Sequence, residues 1–209
     1  MSKLLPLKDA VSNLKRQRIL DVASELFFEL GYKGTSIDAI AERMQLTKPF
    51  VYYHFASKAD ILAAVCGRTT AFAAGFAEQQ ADKTGPVQDR LVDLVRQLCL
   101  RIIEGRVYLA VYFREERHLP PAAFKELAAD RRRFDRALSR LLQEGADAGV
   151  FHVGTVSVAA QAITGMATWI FNWYRAKGTL TPDQLAQQMA EMTLAMVQPP
   201  PPDDRRASA

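Results

Sequence analysis

Residues 44–55 read MQLTKPFVYYHF: a proline, two adjacent tyrosines, a histidine and two phenylalanines in twelve positions. A core strand, an aromatic ligand shelf and a DNA-reading helix can each hold these letters, so the neighbours decide. Thr47 is a good N-cap, and a proline in the first turn forfeits no intrahelical hydrogen bond. The stretch therefore predicts a short helix beginning near Lys48. Upstream, residues 36–43 predict a second short helix, with Ile37, Ile40, Ala41 and Met44 on one side and a link through Gln45 and Leu46. Ahead of it, Ile19, Val22, Ala23, Leu26, Phe27 and Leu30 recur at helical spacing, and Gly31 is a natural stop. Lys15, Arg16 and Arg18 are read as lying ahead of that first helix, adding charge at a duplex edge together with Lys58.

Two short helices joined by a tight turn behind a third helix form a helix-turn-helix unit. Ala41 permits a close crossing, and Leu46, Val51 and Phe55 are expected to face inward. Lys48, Pro49, Tyr52, Tyr53 and His54 then remain on the outward side. Lysine can meet phosphate or guanine, proline a thymine methyl, and tyrosine and histidine phosphate oxygens. The competing reading makes Phe50, Tyr52 and Tyr53 ordinary core aromatics of an all-helical protein.

Helical patterning continues along the chain. Ser57 opens a long helix with Asp60 three residues on, ending before residues 83–86 (KTGP). Further helices are predicted over 87–104, 107–117 and 121–144. Gly145, Gly149 and Gly154 punctuate the next connection. An apolar helix starts near Thr155 and is expected to end around Lys177 and Gly178. Thr181-Pro182-Asp183-Gln184 announces the last helix with a capping box. No internal repeat and no strand is apparent. The fold class read from this pattern is all-α, with about nine helices: a helix-turn-helix domain over 10–56, a larger ligand-binding and dimerisation domain over 57–198, and a disordered proline-rich tail over 199–209.

Residues 19–65, ILDVASELFFELGYKGTSIDAIAERMQLTKPFVYYHFASKADILAAV, resemble the DNA-binding end of tetracycline-repressor family regulators. The resemblance implies phosphate contacts from Thr35 and Ser36 at the start of the second helix. It implies base contacts from Lys48, Pro49 and Tyr52, with Phe50 as an extra, and phosphate contacts from Thr47, Tyr53, His54 and Lys58. One departure is Gln45, where the turn commonly carries glycine. A left-handed conformation there would cost a non-glycine residue about 1–2 kcal/mol. The family further implies a homodimer through the last two helices, bound to a palindromic double-stranded operator and released by a small molecule.

The effector is less legible. Phe72, Phe76, Leu98, Ile102, Tyr108, Tyr112, Phe113, Arg114, Phe134, Met166, Trp169 and Trp173 are candidate ligand-binding residues, although each reads equally well as core. The stretches YFREERHLPPAAFKEL, RRRFDRALSRLLQEGADAGVF and GMATWIFNWYRAKGTLTPDQLA are similar to the branch of the family that answers to acyl-CoA esters. Arg131, Arg132, Arg133 and Arg136 would suit the phosphates of such an ester, or would pair with Glu115, Glu116, Glu126 and Asp135 on a solvated face.

The chain has 209 residues, a formal net charge of +4 and a pI near 9.1, enough basicity to permit an anionic partner without requiring one. Cys66 and Cys99 suit a reducing cytoplasm and have no metal spacing. No catalytic constellation, cofactor or membrane span is expected. Two alternatives stay open at this point: an acyl-CoA carrier or enzyme with an incidental helix-turn-helix, and a ligand-independent DNA-binding activator.

Overall fold

The computed structural model describes residues 7–198, so the expected tail at 199–209 lies outside the described residues. Every regular element among them is helical: α1 (Leu7–Gly34), α2 (Ile37–Arg43), α3 (Lys48–His54), α4 (Lys58–Asp82), α5 (Val87–Glu104), α6 (Arg106–Glu115), a 3-10 turn (Glu116–His118), α7 (Pro121–Asp147), α8 (Val156–Thr168), α9 (Ile170–Trp173) and α10 (Pro182–Val197). They form two compact units. One holds residues 7–71 and 105–128, the other 72–104 and 129–198. The division differs from the expected boundary at residue 57, because α6 packs on α1 and so joins the helix-turn-helix.

In the first unit, Ile19, Val22, Ala23, Leu26 and Phe27 bury the periodic face of α1 with Ile40 and Ala41 of α2, Val51 of α3 and Ile61, Leu62 and Val65 of α4. The helix departs from helical geometry at Gly31, where φ is 76°. A β-carbon is unfavourable in that conformation, which is why glycine serves as the stop. At its other end α1 starts earlier than apolar periodicity indicates. Lys15, Arg16 and Arg18 lie on the helix rather than ahead of it, because residues 8–18 contain neither proline nor glycine and a helix can propagate through polar residues.

Polar side chains tie α6 to α1. The Tyr108 hydroxyl donates to the Asp21 carboxylate, and Arg68 donates to that carboxylate at 3.0 Å. Burial would raise the Asp21 carboxyl, but hydrogen bonds from Tyr108, Arg68 and Gln17 hold it below the usual aspartate value. Arg114 donates to the Phe27 and Phe28 carbonyls near the end of α1. Those carbonyls lie in the last turn before the break at Gly31, where the helix has no N–H donors of its own to offer them.

In the second unit, α5 is the central packing partner of α10 and also meets α8 and α9. Leu91, Leu94, Val95, Leu98, Cys99 and Ile102 are buried on α5, and Leu185, Ala186, Met189, Ala190, Thr193 and Val197 on α10. All six of these α10 residues are thus engaged inside the chain, and Met192 and Met196 are the large apolar ones left exposed. The expected capping box at Thr181 and Gln184 is formed in both directions. Helix α7 runs through Gly145 instead of stopping there. A β-carbon at that position would stand 2.0 Å from the Phe151 ring, so glycine admits the returning chain. The apolar helix expected to reach residue 177 stops at Trp173, with Tyr174 extended and buried and Arg175 donating to the Asn172 and Tyr174 carbonyls. Aromatic and β-branched residues in WIFNWY weaken the helix.

Arg133 donates to both carboxylate oxygens of Glu78 at 2.9 and 2.6 Å, and Arg140 pairs with Asp82 at 2.7 Å. The Glu78 partner lies on α4, outside the set expected from sequence. Burial pushes the Cys66 and Cys99 thiols up to about 12, so both are unreactive small hydrophobes.

Candidate nucleic-acid interface

The link between α2 and α3 is a Schellman turn. Gln45 N–H donates to Glu42 O and Leu46 N–H to Ala41 O, both at 2.9 Å. Gln45 has φ of 56°, the left-handed conformation that glycine takes without strain. Leu46 is 41% exposed, which corrects the expectation that it anchors α3. The anchors are Val51 and Phe55, at 0% and 4% exposure.

Ser36 caps α2, its hydroxyl accepting from Ala39 N–H at 3.0 Å. Thr47 caps α3 by backbone geometry alone and makes no side-chain cap bond, leaving its hydroxyl for a partner. Thr47, Lys48, Pro49, Tyr52 and Tyr53 are all exposed, with Phe50 and His54 half-buried beside them. The bland core reading therefore fails for the tyrosines. Tyr53 is 79% exposed.

Lys48 bonds to Asp38 of α2 at 2.9 Å, and this hydrogen bond and the carboxylate charge raise the lysine's pKa. The pair is solvent-exposed, so a phosphate or base can compete for the ammonium at little cost. His54 packs edge-on against Phe50 and Tyr53, at 5.1 and 5.0 Å. Burial, then the charges of Lys15 and Arg16, hold its pKa below the usual histidine value. Its Nε2 is buried without a hydrogen bond.

Two residues expected to contact phosphate have intramolecular partners instead. Thr35 is 1% exposed, and its hydroxyl lies within hydrogen-bond distance of Leu26 O and Gly31 O. Lys58 donates to Tyr32 O and Thr35 O, at 2.8 and 2.7 Å, with its ammonium 4.4 Å from the Tyr32 ring centre. Both side chains satisfy carbonyls near the end of α1, so they shape the interface from behind. Sequence reasoning missed the ring contacts that Lys15 makes with Phe50 and Arg16 with Phe55. These contacts are tertiary and leave no periodic signal.

The twelve candidate ligand residues are divided between the two units. Tyr108, Tyr112, Phe113 and Arg114 belong to the first unit and the other eight to the second. The polar groups of Tyr108 and Arg114 fasten α6 to α1. Leu98, Ile102 and Phe134 are buried core, Phe72 and Phe76 stack at 5.8 Å, and Trp169 and Trp173 are 56% and 45% exposed. Two clefts of about 480 Å³ in the second unit are lined elsewhere. One runs between α7 and α8 past Arg136, Ser139, Ser157 and Gln161, the other between α5 and α10 past Arg96, Gln184 and Gln187.

Residues 19–65 match the model for bacterial regulatory proteins of the tetR family, and residues 84–197 match a tetracyclin repressor-like C-terminal domain. The HTH-type transcriptional repressor KstR2 of Mycobacterium tuberculosis is 24% identical over 184 residues, covering 87% of this chain and 92% of KstR2. A TetR/AcrR-family regulator from Thermobifida fusca is 30% identical, with a TM-score of 0.68 and coverage of 86% and 96%. The crystal structure of AibR in complex with isovaleryl coenzyme A and operator DNA shares the fold at 23% identity and a TM-score of 0.72, covering 89% of this chain and 99% of AibR. No described helix is long and apolar enough to cross a membrane. With an exposed outward face on α3 and both family domains in place, the chain belongs to the tetracycline-repressor family of helix-turn-helix, DNA-binding transcription regulators and is not an enzyme.

Proposed function

We propose that this regulator is a homodimeric repressor that binds a palindromic operator and leaves it when an acyl-CoA ester binds. The observation that carries the DNA reading is the outward face of α3, which buries Val51 and exposes Lys48, Pro49, Tyr52 and Tyr53. Lys48, Pro49 and Tyr52 meet base edges, while Ser36, Thr47, Tyr53 and His54 hold the backbone. Residues 10–56 form the DNA-reading part, and 57–198 the effector and dimer part. Two recognition helices must then stand about 34–36 Å apart, or a multiple of it, to enter successive major grooves. An effector that favours another spacing releases the operator by population shift.

Support for the dimer comes from Val158, Ala162 and Gly165 on α8 and Trp169 at its C-cap, four exposed residues at helical spacing, with exposed Met192 and Met196 on α10. Support for the effector class comes from AibR, solved with isovaleryl coenzyme A. Arg136, which lines the cleft between α7 and α8, offers a guanidinium to a phosphate.

A gel-shift assay with a duplex selected from a random library tests the DNA half. Lys48→Ala combined with Tyr52→Phe should abolish retardation with an unchanged melting temperature; full specific binding by this variant would refute the assignment. For the effector, thermal shift with acetyl-, phenylacetyl- and long-chain acyl-CoA should show stabilisation by at least one ester. Stabilisation by none would remove acyl-CoA from the reading.

A further inference from the structure

The family-matched DNA-binding segment begins at Ile19, yet α1 begins at Leu7. Residues 7–18 therefore place about 18 Å of helix ahead of it, at 1.5 Å per residue. Lys15, Arg16 and Arg18 are exposed on this extension, and none of them forms an ion pair with a described residue. Elsewhere in the same unit Arg43, Lys48 and Arg68 each have a carboxylate partner.

An unpaired surface cation is ordinary. What distinguishes two of the three is where they point. The Arg16 guanidinium stands 4.5 Å from the ring centre of Phe55, the residue that closes α3, and the Lys15 ammonium stands 5.7 Å from the ring of Phe50 within α3. Arg18 is turned about 200° around the helix from Arg16 and makes no such ring contact. A cation over a ring keeps its charge and its outward N–H donors, while its aliphatic stem packs. Such a side chain has already lost part of the rotamer freedom that phosphate binding would otherwise remove.

We propose that the N-terminal extension of α1 is a second DNA-contact element, in which Lys15 and Arg16, seated against the recognition helix, bind phosphates flanking the groove that α3 enters. The inference rests on α3 being the recognition helix. It adds contacts that lie outside the family-matched segment and that carry affinity without sequence information.

The test is fluorescence anisotropy between 50 and 200 mM KCl, on the selected duplex and on an unrelated duplex of equal length. Two phosphate contacts contribute about 1.8 to the slope of log affinity against log salt. Over that fourfold salt range the wild type should lose roughly twelvefold more affinity than Lys15→Ala/Arg16→Ala. The variant's weakening should be similar on both duplexes. Arg18→Ala should leave the slope near wild type, and the charge-retaining Lys15→Arg/Arg16→Lys should preserve it. Lys15→Gln/Arg16→Gln, which keeps the stems over the rings, provides the same comparison if the alanine pair melts early. An unchanged slope in a folded charge-removed variant overturns the proposal. So does an equal slope loss in Arg18→Ala, which would indicate diffuse charge. Absence of salt-dependent binding by the wild type to either duplex would instead overturn the reading of α3.

Discussion

Helices α3 and α10 use bulky residues in opposite ways. The seven residues of α3 bury one side chain, Val51, whereas the sixteen of α10 bury six. Helix α10 is held by its own face against α5. Helix α3 is held mainly by what surrounds it: the Schellman turn before it, Phe55 after it and Arg16 beside it. A helix that contributes so little to the core can present its remaining surface to a partner. One that contributes much has little left to present, and on α10 the large apolar remainder is Met192 and Met196.

The sharpest way to break this comparison is a pair of truncations. Met189→Ala on α10 should cost about 2–5 kcal/mol in urea unfolding, because a buried side chain leaves a cavity. Tyr53→Ala on α3 should stay within about 0.5 kcal/mol. Comparable losses from both would mean that α3 is a core helix.

A smaller effect sharpens the account of the turn. Gln45→Gly relieves the left-handed penalty of about 1–2 kcal/mol, partly offset by the roughly 0.5–1 kcal/mol entropy cost of glycine. Differential scanning fluorimetry should show a slightly higher melting temperature. A fall would show that the Gln45 side chain supports the turn in a way the backbone does not reveal.

The smallest effect is a proton. In the free chain, burial and the charges of Lys15 and Arg16 hold His54 below 6.5, so it is neutral at pH 7.5. Phosphates beside it would raise its pKa, and the bound state then carries the extra proton. DNA affinity should rise as pH falls between the bound and free values, by at most about tenfold per pH unit, and His54→Gln should flatten that profile. Stability of the free fold responds the other way. The contribution from His54 is present above 6.5 and lost as pH falls through the lowered value.

Local chemistry made the recognition unit legible. Thr47 with Pro49 marks one helix start, Thr181 with Gln184 another, and Gly31 a stop, each through its own backbone or a neighbour within a few residues. Gln45 was identifiable as the strained position for the same reason, since glycine is the residue a left-handed turn position favours. The effector residues were not legible, because aromatic and aliphatic side chains carry the same pattern whether they line a cavity or fill a core. Phe134 and Leu98 proved to be core, while Trp169 and Trp173 proved to be exposed.

From the sequence alone follow the all-helical class, the helix-turn-helix and the outward face of α3, set by periodicity and short-range capping, and the family, through the resemblance of residues 19–65. The tertiary structure decided what the polar groups do. Thr35 and Lys58 turn inward to the carbonyls of residues 26–35, Tyr108 and Arg114 bind α6 to α1, and Lys15 and Arg16 come to rest on the rings of Phe50 and Phe55. A hydroxyl or an ammonium takes whichever partner the fold brings within 3 Å or so, and that distance is set by elements far apart in the chain.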